Sequence, residues 1–312
     1  MAVTFTKPKK QFTWLITGCS SGFGLSLTRI VQAAGHNVIA TSRNPSRTPD
    51  LVAEVEGKGG KWVRLDVDDL NSTQVIKNLE SSGQEVDVLV NNAGYSIHSP
   101  VETFAEEEIR AQMESMYFGP IRLIQAVLPY MRKRRFGIIV NMSTGAALEG
   151  RDSMGGYAGA KAGLDVRTTG LTKVLAKEIA PFNIRTLTVG LGAFNTNMGS
   201  AAGMPKNPLP EDYQGSVAEQ TMQSITSGKM PWLGDKDKAM KAVYDVVVGE
   251  GAGAGHEAER FLPLGTDMFA RVTTVRDYLS HAQEVFGDIT NNVGIDKRFW
   301  GLEESSQPGR MP

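Results

Sequence analysis

Seven short, β-rich apolar runs alternate with stretches of helical period between residues 12 and 286, and this alternation leaves few folds open. The runs are Phe12–Thr17, Asn37–Arg43, Lys61–Val67, Val86–Asn91, Gly137–Thr144, Ile184–Gly190 and Arg260–Leu264. Between them the 3.6-residue period predicts helices over Phe23–Ala34, Ser72–Ser82, Phe104–Arg134, Tyr157–Ala180, Lys236–Gly249 and Thr266–Phe286. Strand, helix, strand in succession makes parallel neighbours joined by right-handed crossovers. The expected architecture is α/β: a doubly wound, seven-stranded parallel sheet in a single domain, residues 12–290. Residues 1–11, basic through Lys7, Lys9 and Lys10, read as a flexible N-terminal tail, and 291–312 as a C-terminal tail, polar from Glu303. From Asn195 to Gly234 the composition shifts to Gly, Pro, Ser and Met, with Pro205, Pro208, Pro210 and Pro231. That stretch, 195–234, reads as an inserted segment, either a lid over a substrate or a plain surface excursion. Gly249–Gly255 reads as a loop before the last strand.

With 41% hydrophobic and 21% charged residues the chain can build a large core. Lys and Arg number 33 against 34 Asp and Glu, a net charge of -1 that gives no reason to expect nucleic acid or an anionic membrane as partner. No stretch of 18 apolar residues predicts a membrane span, and no apolar segment near the N-terminus predicts secretion. The single cysteine, Cys19, rules out an internal disulfide and fits a reducing, cytoplasmic setting. Without a paired histidine it reads as a loop residue. His36, His98, His256 and His281 are scattered, so no metal site is expected.

The first run leads into Thr17-Gly18-Cys19-Ser20-Ser21-Gly22-Phe23-Gly24 and then into a helix. Glycines 18, 22 and 24 suit a tight turn with close backbone approach, and the helix start offers free N–H groups to a pyrophosphate. A strand before it and a helix after it are the context this turn needs to bind a dinucleotide, so Gly18, Ser20, Ser21, Gly22, Phe23 and Gly24 are candidate ligands and the fold is expected to be of Rossmann type. The second run ends Ala40-Thr41-Ser42-Arg43 with no carboxylate to accept a ribose hydroxyl. Ser42 and Arg43 instead suit a 2′-phosphate, which favours NADP(H) over NAD(H). Asp66 and Val67, ending the third run, suit an adenine edge and ring, and Asn92, Ala93 and Gly94, after the fourth, a close approach to the cofactor.

Tyr157 and Lys161 lie four residues apart at a helix start and share one face. A phenol titrates near about 10, and a neighbouring ammonium is expected to lower that and make it a proton donor or acceptor. Ser143 and Thr144 end the fifth run, where a hydroxyl can hold a substrate oxygen.

Together these residues resemble the short-chain dehydrogenase/reductase superfamily from about Phe12 to Phe286. The TGxxxGxG turn is Thr17–Gly24, the NNAG element Asn91–Gly94, and YxxxK Tyr157–Lys161. The resemblance implies Tyr157 as catalytic acid/base and Lys161 as its electrostatic partner and a ribose ligand. It also implies a hydroxyl thirteen residues before the tyrosine, which places Thr144 first and Ser143 second. Thr196, in a segment similar to PGxxxT but with Leu191 for the proline, is implied as a ligand of the cofactor carboxamide. A second departure falls in the long helix. Where the family has N-x-x-G with an asparagine that holds a relay water, this chain has Met116 before Gly119, with Ser115 alongside.

Leu148, Met154, Phe194, Met198 and Met204 suggest an apolar, adaptable pocket for a small apolar metabolite, and His98 could reach that pocket or lie in a surface loop. The expected activity is an NADP(H)-dependent ketone or aldehyde reduction, or the reverse alcohol oxidation. A non-redox dehydratase, isomerase or cyclase on the same scaffold is the alternative, with a catalytically silent nucleotide-binding protein as a third. By analogy, the helices over Phe104–Arg134 and Tyr157–Ala180 suit a homodimer or homotetramer.

Overall fold

The computed structural model describes residues 6–165, 170–196, 203, 205–227 and 233–295. Met198, Met204, Pro231 and the polar stretch from Glu303 lie outside them. The strands are β1 (Thr13–Ile16), β2 (Asn37–Ser42), β3 (Lys61–Arg64), β4 (Val88–Asn91), β5 (Gly137–Thr144), β6 (Ile184–Leu191) and β7 (Phe261–Leu264). They form one sheet in the order β3–β2–β1–β4–β5–β6–β7, every pairing parallel. The order reverses between β1 and β4, which leaves a crevice at the C-terminal ends of these two strands.

Side chains alternate across a strand, and here both faces are apolar because both are covered. Trp14 and Ile16 of β1 pack with Leu27 and Val31 of α1 (Gly22–Ala33) and with Val243 and Val247 of α10 (Lys236–Val248). Leu15, between them, faces the other way, into Leu123 and Val127 of α5 (Gly119–Arg134) and Leu175 and Ile179 of α8 (Leu171–Ile179). Each such side chain stabilises the fold by about 1.5–3 kcal/mol on burial.

Several boundaries differ from expectation for local reasons. β3 stops at Arg64 because the chain turns there, with the Asp66 carboxylate accepting the Asp68 N–H at 3.2 Å. The expected helix Phe104–Arg134 is α4 (Glu106–Met113), a π turn over Glu114–Phe118, and α5. Pro120 has no N–H to continue an α ladder, and the Gly119 N–H bonds the Glu114 carbonyl five residues back. The expected helix Tyr157–Ala180 is α7 (Gly155–Leu164) and α8, with 166–169 outside the described residues. Unanticipated helices are α2 (Pro49–Gly57), α6 (Ala146–Glu149) and α9 (Val217–Thr226), the last inside the inserted segment. With α3 (Thr73–Ser81) and a C-terminal α11 (Met268–Asn291) longer than expected, the set is complete for the described residues. None of these helices is long and apolar enough to cross a membrane.

Residues 6–11, expected as part of a loose tail, are pinned to the body. The Thr6 N–H donates to Asn183 at 3.1 Å, the Gln11 amide to the Gly35 carbonyl at 2.7 Å, and the Lys9 ammonium pairs with Asp87 at 2.9 Å. The Asp87 side chain is fully buried and also accepts the Thr13 N–H at 2.7 Å, so it fastens the tail to the start of β1. Removing a buried charge partner leaves the other groups unmet. Asp87→Ala is expected to lower unfolding free energy by about 3 kcal/mol, read as a shifted midpoint in urea denaturation.

Candidate active site

At the end of β1 the chain turns through Gly18 and Gly22, whose φ values of +72° and +57° favour glycine. Gly24 is required for a different reason: a Cβ there would stand 2.3 Å from the Gly18 carbonyl oxygen and 2.6 Å from the Asn92 amide nitrogen. The Asn92 amide donates to the Thr17 carbonyl at 2.8 Å, while the Thr17 hydroxyl accepts the N–H groups of Asn92 and Ala93 at 2.9 and 3.0 Å. Beyond the turn, α1 begins with no acidic residue in its first turn and no side-chain cap from Ser21, so its positive end faces outward uncompensated.

This turn opens into a cleft of about 1430 Å³. Gly18, Ser20, Ser21, Gly22 and Phe23 line one wall, Ser42 and Arg43 the far end, and Asn92, Ala93, Gly94 and Thr196 the near end. Val67 lines it too, but Asp66 does not; the carboxylate facing the cleft is Asp68, because Asp66 is spent on the turn after β3. Asp68 holds the Ser115 hydroxyl at 2.6 Å. Ser42 accepts the Trp62 indole N–H at 3.0 Å, which fixes the rim beside Arg43. Cys19 is buried under the turn, its thiol pushed up to about 11 by burial.

A second cavity of about 940 Å³ adjoins the first across Phe23, Asn92, Gly94 and Thr196. Tyr157, Lys161, Ser143 and Thr144 all line it. Burial pushes the Tyr157 phenol up to about 12, opposed by a hydrogen bond with the Thr144 hydroxyl. Burial thus outweighs the lowering expected from a nearby ammonium. Burial also brings the Lys161 ammonium down to about 8, opposed by Asp165, and Lys161 donates to the Met142 carbonyl at 2.8 Å. The two neighbouring hydroxyls differ in their partners. Thr144 bonds the phenol, whereas Ser143 donates to the buried Asp165 carboxylate at 2.9 Å.

Met116 is fully buried among Ala146, Met154, Tyr157, Ala160 and Ile225. Its sulfur packs on Gly94, where a Cβ would stand 3.1 Å from it and 3.5 Å from the Lys161 nitrogen. Ser115 points the other way, to Asp68, and lines the cleft, whereas Met116 packs beneath Gly94 in the apolar cluster with Tyr157.

The pocket walls are less apolar than expected. Met154 and Phe194 line the second cavity with Met142, Leu191 and Ile225, while Leu148 does not, and Met198 and Met204 lie outside the described residues. His98, Arg151 and Arg271 line it as well. Sequence reasoning missed both arginines: Arg271 arrives on α11 from the far end of the chain, which no local spacing signals. Arg271 pairs with Asp267 at 2.9 Å and with Glu149. His98 is buried, its Nε2 2.9 Å from the Ser96 hydroxyl. Burial, then the charge of Arg151, brings its ring down to about 4. A lowered imidazole is neutral above that value. Ring signals of His98 in nitrogen-resolved NMR are expected to stay fixed from about pH 5.5 to 8; a midpoint near the ordinary 6.5 would contradict its burial.

Among the described residues no group of three or more His, Cys, Asp or Glu side chains could hold a metal ion. Residues 13–206 match the model of the short chain dehydrogenase family. An oxidoreductase, claN, of Passalora fulva is 38% identical over 215 residues, 68% of this chain and 95% of that protein. A short-chain dehydrogenase of Streptomyces avermitilis superposes with a TM-score of 0.80 at 30% identity, over 92% of this chain and all of that one. A short-chain dehydrogenase of Sphingobium yanoikuyae, solved in complex with NADPH, shares the fold with a TM-score of 0.67 at 20% identity, over 92% of this chain and 99% of that one. The seven-stranded parallel sheet, the glycine turn and the matched span agree: this chain belongs to the short-chain dehydrogenase family.

Proposed function

We propose that the protein is an NADP(H)-dependent oxidoreductase that interconverts a ketone or aldehyde with the corresponding alcohol. The observation that carries this reading is the meeting of Thr144, Tyr157 and Lys161 in the second cavity, which shares Phe23, Asn92, Gly94 and Thr196 with the cleft. The cleft fits a dinucleotide on its own geometry. Only glycine is tolerated at Gly24, the end of α1 is uncompensated, and Arg43 stands at the far rim with no acidic residue ending β2. A nicotinamide dinucleotide bound there supplies or accepts the hydride.

In this reading Gly18–Gly24 would receive the pyrophosphate, Arg43 the 2′-phosphate, Thr196 the carboxamide and Lys161 the ribose. Thr144 would hold the substrate oxygen, and the Tyr157 phenol would give a proton to that oxygen in reduction and take it back in oxidation. The phenol, raised by burial, is in its protonated form at neutral pH, which suits the donating direction. Apolar walls of Met142, Met154, Leu191, Phe194 and Ile225 would exclude water around the reacting carbon. The reading extends to a cytoplasmic enzyme, supported by the single buried thiol. The non-redox alternative rests on Met116 alone.

Two variants test it by nicotinamide absorbance over a panel of carbonyl compounds. Tyr157→Phe is expected to lower turnover by about 10²–10⁴-fold while NADPH still binds, as followed by its fluorescence; near-normal turnover refutes the proton-transfer role. Arg43→Leu is expected to raise KM for NADPH by about ten- to a hundredfold and leave KM for NADH unchanged. Equal effects on both cofactors would remove the 2′-phosphate assignment.

A further inference from the structure

Helix α11 packs on the body of the protein through its first two turns and then runs out into solvent. Met268 is buried, and Met268 and Arg271 sit over Gly145 at the end of β5, against α6. Beyond Val275, every residue to Asn291 is exposed except Ala282 and Gly287, which are half-buried. Yet the exposed part is not polar. Phe269, Tyr278 and Phe286 are 84%, 71% and 53% exposed, and Leu279, Val285 and Ile289 are each more than half exposed. The composition also disfavours a free-standing helix: Val272, Thr273, Thr274, Val275, Asp277, Gly287 and Thr290 are weak helix formers. Such a segment is helical when its apolar stripe is packed.

The stripe has a strict period. Met268, Val272, Val275, Leu279, Ala282, Phe286 and Ile289 recur at alternating spacings of four and three, the seam of a two-helix coil. We propose that α11 pairs, antiparallel, with α11 of a second copy of this chain. The three aromatic rings alone expose roughly 400 Å², against the about 800 Å² that one partner gives to a stable interface. Charge selects the orientation. In a parallel pair the residues flanking the seam would set Arg271 against Arg276 of the partner subunit. An antiparallel pair sets Arg276 beside a glutamine or threonine and Tyr278 beside a valine. In that register Leu279 packs on an alanine, Phe286 on a valine and Ile289 on a valine across the seam. The helix carries two arginines against Asp277, Glu284 and Asp288, an acidic balance that disfavours a membrane surface as occupant. Because Arg271 lines the second cavity, the pairing would also brace one wall of the active site. The proposal does not depend on the catalytic reading.

The test uses the full chain, with particle mass from light scattering after gel filtration. The wild type is expected to have twice the mass of the double variant Leu279→Glu, Phe286→Glu, since both positions are exposed within a protomer and their change leaves the fold intact by circular dichroism. A short bis-maleimide is expected to join two copies of Ala282→Cys and not of Val272→Cys, whose positions lie roughly 25 Å apart along the axis of an antiparallel pair. Cys19, being buried, does not interfere. Unchanged mass in the double variant overturns the proposal, as does equal cross-linking at both positions. So does a wild-type monomer that dimerises only when residues 296–312 are removed, or one that instead sediments with phosphatidylcholine–phosphatidylserine vesicles.

Discussion

The site depends on one knot of hydrogen bonds at the point where strand order reverses. Thr17 follows directly on β1 and Asn92 on β4, and each satisfies the other's backbone and side chain. Buried polar groups must be paired, so these two strand ends cannot drift apart without leaving several groups unmet. The knot forces the chain ends so close that residue 24 has no room for a Cβ. It also places Asn92 and Gly94 at the wall shared by the two cavities. The phosphate-binding turn and the proton-transfer groups are therefore held in one frame, although they lie more than a hundred residues apart in the chain.

Within that frame the electrostatics are governed by burial more than by pairing. Tyr157 and Lys161 are both almost fully enclosed, and enclosure favours the neutral form of each: the phenol rises and the ammonium falls. Small polar contacts then oppose the trend. Thr144 bonds the phenol and Asp165 acts on the lysine, with Ser143 committed to Asp165. The adjacent hydroxyls at the end of β5 thus have separate tasks because successive side chains of a strand point to opposite faces.

The sheet and its glycine turn were legible in the sequence because both rest on local rules. A doubly covered strand is a continuous apolar run, and β5 matches its expected limits at both ends, Gly137–Thr144. Where a strand falls short of its apolar run, as in β3, the extra residues Leu65 and Val67 are apolar because they line a cleft, which pattern alone does not distinguish from a sheet. Helix α9 was missed although Ser216 and Glu219 form a legible start: the serine accepts the Glu219 N–H and the glutamate accepts the Gly215 N–H. The surrounding glycines and prolines masked it. Arg151 and Arg271 carried no such local mark, since only the folded sheet brings α11 over the end of β5.

The π turn at Glu114–Phe118 has a consequence for how this chain can change over evolutionary time. One extra residue in a helical turn rotates everything after it by about a quarter of a circle relative to an unbroken α-helix. Here that rotation lets Ser115 reach Asp68 while Met116 fills the space beneath Gly94. Deleting any single residue of the turn would rotate α5 by about 100° away from the face that it now packs on the sheet. The irregularity works as a phase setter between two stretches that must face different neighbours, so the length of this stretch is constrained as well as its buried side chains, Ser115 and Met116.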